Sequence, residues 1–174
     1  MMLEGDDRRD AIMNYLVGRT TPVNGTELAK RFGVSRQIIV QDIALLRAKN
    51  RDILSTNRGY LLYQPSENHH AFSTVVLVRH SAEDTLEEMR SVVDYGGRML
   101  DVLIDHDLYG QIRADLLINS IDDAVEFCEK MKNSNSKPLK ELTSDYHYHT
   151  ITAPSEKALQ LIMNELKEKG FLMS

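Results

Sequence analysis

Two histidines one residue apart, His147 and His149 in Tyr146-His147-Tyr148-His149-Thr150, have the type and spacing to do chemistry. On a β-strand, residues i and i+2 point to the same face, so this pair can hold one cation, and neutral imidazole is a common metal ligand. Two nitrogens do not complete a site. A third histidine, His80, follows the apolar run 72–79, and the segment after it carries Glu83, Asp84, Glu87 and Glu88. The helical wheel does not choose among these acids. The same spacing also suits histidines that only form hydrogen bonds at a surface.

The front of the chain carries a different chemistry. Residues 26–43, Thr26-Glu27-Leu28-Ala29-Lys30-Arg31-Phe32-Gly33-Val34-Ser35-Arg36-Gln37-Ile38-Ile39-Val40-Gln41-Asp42-Ile43, have helix-turn-helix grammar, with Gly33 for the turn and Ser35 as N-cap of the second helix. Leu28, Ala29, Phe32, Val34, Ile39 and Ile43 would form a small core. Ser35, Arg36, Gln37, Val40 and Gln41 are then left on the outer face, where base-edge and phosphate contacts occur in such motifs. Arg36 can grip guanine or phosphate, and Gln37 or Gln41 can read adenine. The alternative for this segment is a helical hairpin used for protein contact.

The elements that must position these residues follow from periodicity. The front half reads as helices over 7–17, 27–32 and 35–49, then a β-hairpin over 52–63 with Gly59 at its tip. That hairpin would be a wing, with Arg58 reaching backbone phosphate. The segment 65–71 is polar, holds His69 and His70, and reads as a linker between domains at 1–64 and 72–174. The back half alternates: strand 72–79, helix 82–95, strands 98–105 and 111–118, helix 121–132, strand 145–152 and helix 155–169. Ile121, Val125, Cys128 and Met131 are expected inward on the fifth helix, and Ala158, Leu161, Ile162 and Leu166 on the sixth. Phe171-Leu172-Met173 would add a short strand. This order predicts an α/β (α+β) fold with a mainly antiparallel sheet and helices on one face.

Composition sets the bounds. The 174 residues are 42% hydrophobic and 27% charged, which excludes a mainly disordered chain. No apolar run approaches the roughly 18 residues of a membrane helix. The opening MMLEGDDRRD lacks the apolar core of a secretory signal, so a cytoplasmic protein is expected. A single Cys closes no internal disulfide and builds no thiolate cage. Residues 1–65 hold ten Lys and Arg against seven Asp and Glu, whereas 66–174 hold eleven against nineteen and all six histidines. A basic front half fits a nucleic-acid partner, and an acidic, histidine-bearing back half fits a cation site.

Residues 8–63 resemble the winged-helix domains of biotin-repressor-type regulators. The whole pattern, from about residue 8 to 173, resembles the 3H-domain transcription factors. The resemblance is carried by Ser35-Arg36-Gln37, Asn57-Arg58-Gly59-Tyr60, Val78-Arg79-His80, Gly96-Gly97-Arg98, Asp105-His106-Asp107-Leu108-Tyr109-Gly110, His147-Tyr148-His149-Thr150-Ile151 and Lys169-Gly170-Phe171-Leu172. It implies a back domain resembling the phosphocarrier HPr and metal ligands at His80, Glu88, His147 and His149. The third family histidine falls on His106, where Asp107 and Leu108 replace the family's usual Pro and its neighbour. The family's Gly-rich approach to the His-x-His pair is Ser144-Asp145-Tyr146 here.

The implied function is a niacin-responsive repressor of NAD biosynthesis or niacin uptake genes. It would hold one divalent transition metal per chain (zinc, nickel, iron or manganese) and bind a palindromic double-stranded operator as a homodimer. Nicotinic acid pairs a carboxylate with a pyridine nitrogen. Arg79 or Arg98 would neutralise the carboxylate, and Tyr146 or Tyr148 would offer a flat apolar contact. No catalytic residues are expected. The alternatives are a regulator that senses the metal itself, and a metal-dependent hydrolase attached to a DNA-binding module.

Overall fold

The computed structural model describes residues 4–49, 52–62 and 72–174. The predicted linker 65–71, with His69 and His70, lies outside them, as does Tyr63 at the end of the predicted hairpin. The chain forms two compact units, Met1–Pro65 and Ser66–Ser174. Among the described residues, no helix is long and apolar enough to cross a membrane.

The first unit contains helices α1 (Gly5–Leu16), α2 (Gly25–Phe32) and α3 (Arg36–Lys49), then strands β1 (Ile53–Thr56) and β2 (Gly59–Leu62). The Asn24 side chain accepts from Glu27 N at 2.8 Å and starts α2. Gly33 ends that helix with φ 66°, the left-handed region open to glycine. Ser35 Oγ then accepts from Ile38 N at 3.3 Å and starts α3. Ile12, Leu16, Leu28, Ile39, Ile43 and Ile53 are buried together beneath the three helices and the hairpin. Val23 and Tyr60 exchange backbone hydrogen bonds at 2.8 Å, which ties the segment before α2 to the hairpin. Gly59, at φ 133°, passes so close to the Val23 carbonyl that a Cβ there would collide with it.

The second unit has the order β3 (Phe72–Arg79), α4 (Thr85–Val93), β4 (Arg98–His106), β5 (Gly110–Ile118), α5 (Ile121–Asn133), a 3-10 turn (Leu139–Thr143), β6 (Tyr146–Ala153) and α6 (Glu156–Glu168). Its sheet runs β3-β6-β4-β5, with every pairing antiparallel. Alternation buries Val76 and Val78 of β3, and His147, His149, Ile151 and Ala153 of β6, against the helices. Met89, Val92, Cys128, Ile162 and Leu166 complete that core. After α6 the chain returns to the edge of β3, where the Phe171 carbonyl accepts from Arg79 N and Leu172 bridges Val78.

Two expected helix faces are corrected. Ile121 and Val125 are exposed on α5, and the inward stripe is Ala124, Phe127, Cys128 and Met131. Leu161 of α6 is likewise exposed, while Ala158, Ile162 and Leu166 are buried. Each of these helices carries apolar residues over more than half a turn, so periodicity alone did not fix which side faces the sheet.

Candidate metal centre and nucleic-acid face

His147 and His149 sit on β6 opposite Val78 and Val76 of β3, so the register of an inner strand fixes both rings on the helix-facing side. His80 lies one residue beyond β3. Glu88 lies on the first turn of α4 and is buried. Four side chains remote in sequence therefore meet under the helices.

Their hydrogen bonds define the ring orientations. His80 Nδ1 bonds the Ser81 carbonyl at 2.7 Å, His147 Nδ1 the Asp145 carbonyl at 2.7 Å, and His149 Nδ1 the Asp101 carbonyl at 2.5 Å. A carbonyl only accepts, so each Nδ1 carries the proton and each Nε2 presents a lone pair in the neutral ring. All three Nε2 atoms approach Glu88. His80 Nε2 is 2.5 Å from Oε2, and His149 Nε2 and His147 Nε2 are 3.1 and 3.8 Å from Oε1. The rings of His80 and His147, and of His147 and His149, stand edge to face with centroids 4.9 and 4.8 Å apart. Phe171 closes over His80 at 5.3 Å.

Three acceptors facing a carboxylate form a cluster that lacks a positive charge at its centre. Glu88 Oε1 and His149 Nε2 are both buried without a hydrogen-bond partner. A bound cation satisfies both atoms, and the donor set of imidazole and carboxylate suits a divalent transition metal. The ligand atoms of His80, Glu88 and His147 all lie within 4.8 Å of one another. His149 Nε2 approaches the same carboxylate oxygen, Glu88 Oε1, as His147 does. With no cation bound the same Nε2 atoms take up protons instead: burial alone pushes the Glu88 carboxyl up, but a charged His149 and hydrogen bonds from the protonated faces of His147, His149 and His80 outweigh it and hold the group well below the ordinary range. Burial pulls His147 down, against the opposing carboxylate of Glu88, which favours the neutral ring. Burial also lowers His149, but Glu88 and the Asp101 carbonyl prevail and raise it.

The cluster opens into a cavity of about 190 Å³ with walls formed largely by Met89, Leu116, Phe127, Met131 and Leu139. Lys140, from the 3-10 turn, also lines it and is only 4% exposed.

A family model described as a 3H domain matches residues 73–174, and one described as an HTH domain matches residues 8–61. The chain belongs to the 3H-domain family. It is 40% identical over 167 residues to a protein of Thermotoga maritima named "Probable transcription repressor NiaR", covering 96% of this chain and 94% of that one. It is 36% identical over 174 residues to "Transcription repressor NadR" of Bacillus subtilis, covering 99% of this chain and 97% of that one. Both are named as repressors rather than enzymes. An uncharacterised protein of Methanothermus fervidus is 36% identical over 106 residues, which is 56% of this chain and 16% of that protein.

The 3H domain thus gathers His80, Glu88, His147 and His149, but not the other predicted ligand contacts. His106 ends β4, where its Nδ1 accepts from Leu108 N and Tyr109 N at 3.2 and 3.3 Å and its ring stacks on Tyr109. It holds the β4–β5 turn. Arg79 is exposed, lies over the Tyr146 ring at 5.0 Å and donates to the Ser144 carbonyl at 3.3 Å. Tyr146 and Tyr148 alternate with the two histidines and so face the opposite side of the sheet. Arg98 begins β4, paired with Thr152, and does not line the cavity.

Lys140 and Thr85 line the cavity and were missed. Lys140 lies in a 3-10 turn that has no sequence periodicity, and Thr85 begins α4 among more conspicuous acids. The approach Ser144-Asp145 adopts left-handed backbone, with φ 52° and 70°. That turn aims the Asp145 carbonyl at His147.

In the HTH domain, Ser35, Arg36, Gln37, Val40 and Gln41 are all exposed along the start of α3. Arg58 occupies the tip of the β1–β2 hairpin, half-buried, with its N–H donating to Thr56 Oγ1 at 3.2 Å.

Proposed function

We propose that this protein is a cytoplasmic transcriptional repressor of NAD biosynthesis or niacin uptake genes, with nicotinic acid as co-repressor. The observation that carries the reading is the buried set His80, Glu88, His147 and His149 opening into an aromatic-sized cavity, on a chain 40% identical to a protein named a probable transcription repressor. Residues 1–64 act as the DNA-binding domain, 65–71 as linker and 72–174 as the effector domain. Ser35, Arg36, Gln37, Val40 and Gln41 meet the major groove and Arg58 a flanking phosphate. A homodimer would place two such faces on a palindromic operator.

His80, Glu88, His147 and His149 would hold one divalent ion, which when bound supplies a Lewis acid for a ligand heteroatom. The protein's own part is to keep three neutral Nε2 atoms and one carboxylate fixed, and to wall off water with Met89, Leu116 and Phe127. Nicotinic acid then acts as co-repressor only through tighter binding to the DNA-competent arrangement.

The test is fluorescence anisotropy on a duplex that the protein itself selects from a random palindromic library, with and without nicotinic acid, before and after chelation. The reading expects nicotinic acid to tighten binding about tenfold or more, and chelation to abolish that gain. DNA affinity that follows metal alone would replace it with a metal sensor.

A further inference from the structure

Two guanidiniums of the HTH domain share one aromatic ring. The guanidinium carbon of Arg19 stands 4.0 Å from the centroid of the Tyr15 ring, and that of Arg31 stands 4.1 Å from it. Both arginines are exposed, one on the connection from α1 to α2 and one in the last turn of α2. Phe32 meets the same ring edge to face at 6.3 Å. The cluster is thus rooted at the end of α2, from which the Gly33 turn leads into α3 and Arg36.

Neither arginine has an ion-pair partner among the described residues. Elsewhere in this unit the guanidiniums of Arg8 and Arg9 are taken up by Asp42. Arg19 Nε donates to the Tyr15 carbonyl at 3.2 Å, and its two Nη groups keep their protons for another acceptor. Glu27 lies one turn before Arg31 on α2, but its carboxylate accepts the Tyr15 hydroxyl at 3.0 Å rather than either guanidinium.

Held against one centroid, the two charges are no more than about 8 Å apart. That is about one Debye length in physiological salt, so they repel one another. The attraction of each for the electron-rich ring face keeps them there. A guanidinium fixed by stacking loses less freedom when its planar fork meets an anion. Covering the ring needs one arginine. A second one, also unpaired, makes a pre-arranged double charge.

The anion that fits is a phosphodiester chain. Charges on one strand of B-DNA recur about every 3.4 Å of axis, so the pair spans two or three successive phosphates. The unit that carries the pair matches an HTH domain and holds ten Lys and Arg against seven Asp and Glu over residues 1–65. Such domains set their register on the duplex through backbone contacts beside the recognition helix.

We infer that Arg19 and Arg31, arranged by Tyr15, form a phosphate clamp that extends the DNA contact beyond the start of α3 and the hairpin tip. Neither arginine is among the DNA contacts expected from the sequence. The clamp reads no base, so its contribution is the same on any sequence, and Tyr15 is its positioning residue. It rests on the DNA-binding part of the proposed function and is independent of the effector and the metal.

The experiment is fluorescence anisotropy of the full-length protein on the selected operator and on a scrambled duplex, titrated from about 50 to about 200 mM salt. Arg19→Gln and Arg31→Gln should each lower the slope of log affinity against log salt by about one, and the double variant by about two, equally on both duplexes. Tyr15→Phe keeps the ring and should match wild type. Tyr15→Leu keeps both charges but releases them, and should weaken both duplexes several-fold. If Tyr15→Leu does not fold, the arginine variants, altered only at exposed side chains, decide the matter. Slope and affinity equal to wild type in the folded double variant overturn the clamp. Arg36→Ala still weakening the operator would then preserve the repressor reading and leave the pair to an acidic protein surface. A loss confined to the operator would make the pair a base reader and overturn the phosphate assignment. A wild type that binds neither duplex overturns the clamp and the DNA-binding reading together.

Discussion

The backbone carbonyl of Asp101 accepts His149 Nδ1 at 2.5 Å, while the carboxylate of the same residue takes Thr150 N and Thr150 Oγ1, each at 2.8 Å. One residue of β4 thus orients a metal-facing ring and grips the residue next to it on β6. Arg113 Nε, at 2.9 Å, satisfies the carboxylate from β5.

Asp101→Ala keeps the carbonyl that holds His149 Nδ1 but removes the carboxylate's grip on Thr150, so it should loosen the β4–β6 junction beside His149 without touching any metal-facing atom. The loss of a ligand's direct outer partner costs about 10–100-fold in metal affinity, and an indirect loosening should cost less. Chelator competition should show a fall of several-fold. Affinity equal to wild type would mean that the sheet register alone fixes His149.

Glu88 gives a pH prediction. A carboxyl held below its ordinary value contributes stability above the unfolded-chain value, about 4.3, and loses it as pH falls through the depressed folded value. In metal-free protein, wild type should melt above Glu88→Gln near neutral pH. The gap should begin to narrow as pH falls past about 4.3 and close only below the depressed folded value. Melting curves at stepped pH would show this, and a gap that widens in acid would contradict it.

Asp42, buried on α3, binds Arg8 Nε at 2.6 Å and Arg9 Nη1 at 3.0 Å on α1. Asp42→Ala removes the α3 partner of both guanidiniums, while Arg9 keeps Asp6 at 2.5 Å, and unlatches the recognition helix from α1. We expect a loss of about 2–3 kcal/mol in the urea transition of the first unit. A loss below about 0.5 kcal/mol would place this pair among ordinary surface ion pairs.

Arg36 and Arg58 should separate on DNA. Arg36→Ala should cost about 1–3 kcal/mol on the selected operator and relax preference at one base pair. Arg58→Ala should weaken binding to all sequences and reduce the salt slope by about one. Equal behaviour of the two variants in a salt titration would merge their roles.

The strands and helices were legible because their signals are local: Asn24, Ser35, Ser120 and Ser155 each cap a helix through an i+3 bond. The His147–His149 pair was legible because strand alternation is strict. Spacing could not choose Glu88 over Glu83, Asp84 or Glu87; the family resemblance did. The helix supplies the physical reason, since Glu88 is the one buried among these acids. Arg79 and the two tyrosines lie off the cavity lining, because chemical suitability for a carboxylate or a ring says nothing about which face of a strand they occupy. Lys140 had no signal at all, because burial of a lysine by a 3-10 turn is decided by packing across the sheet.

β6 lies inside the sheet, hydrogen-bonded to β3 on one side and β4 on the other. Two of the candidate ligands are thus carried by a strand that cannot swing outward without tearing two ladders. Their amide protons should be among the slowest to exchange in the unit. An ion arriving there would find these two rings already held in place by the sheet, so capture would not wait on any folding of the chain around it.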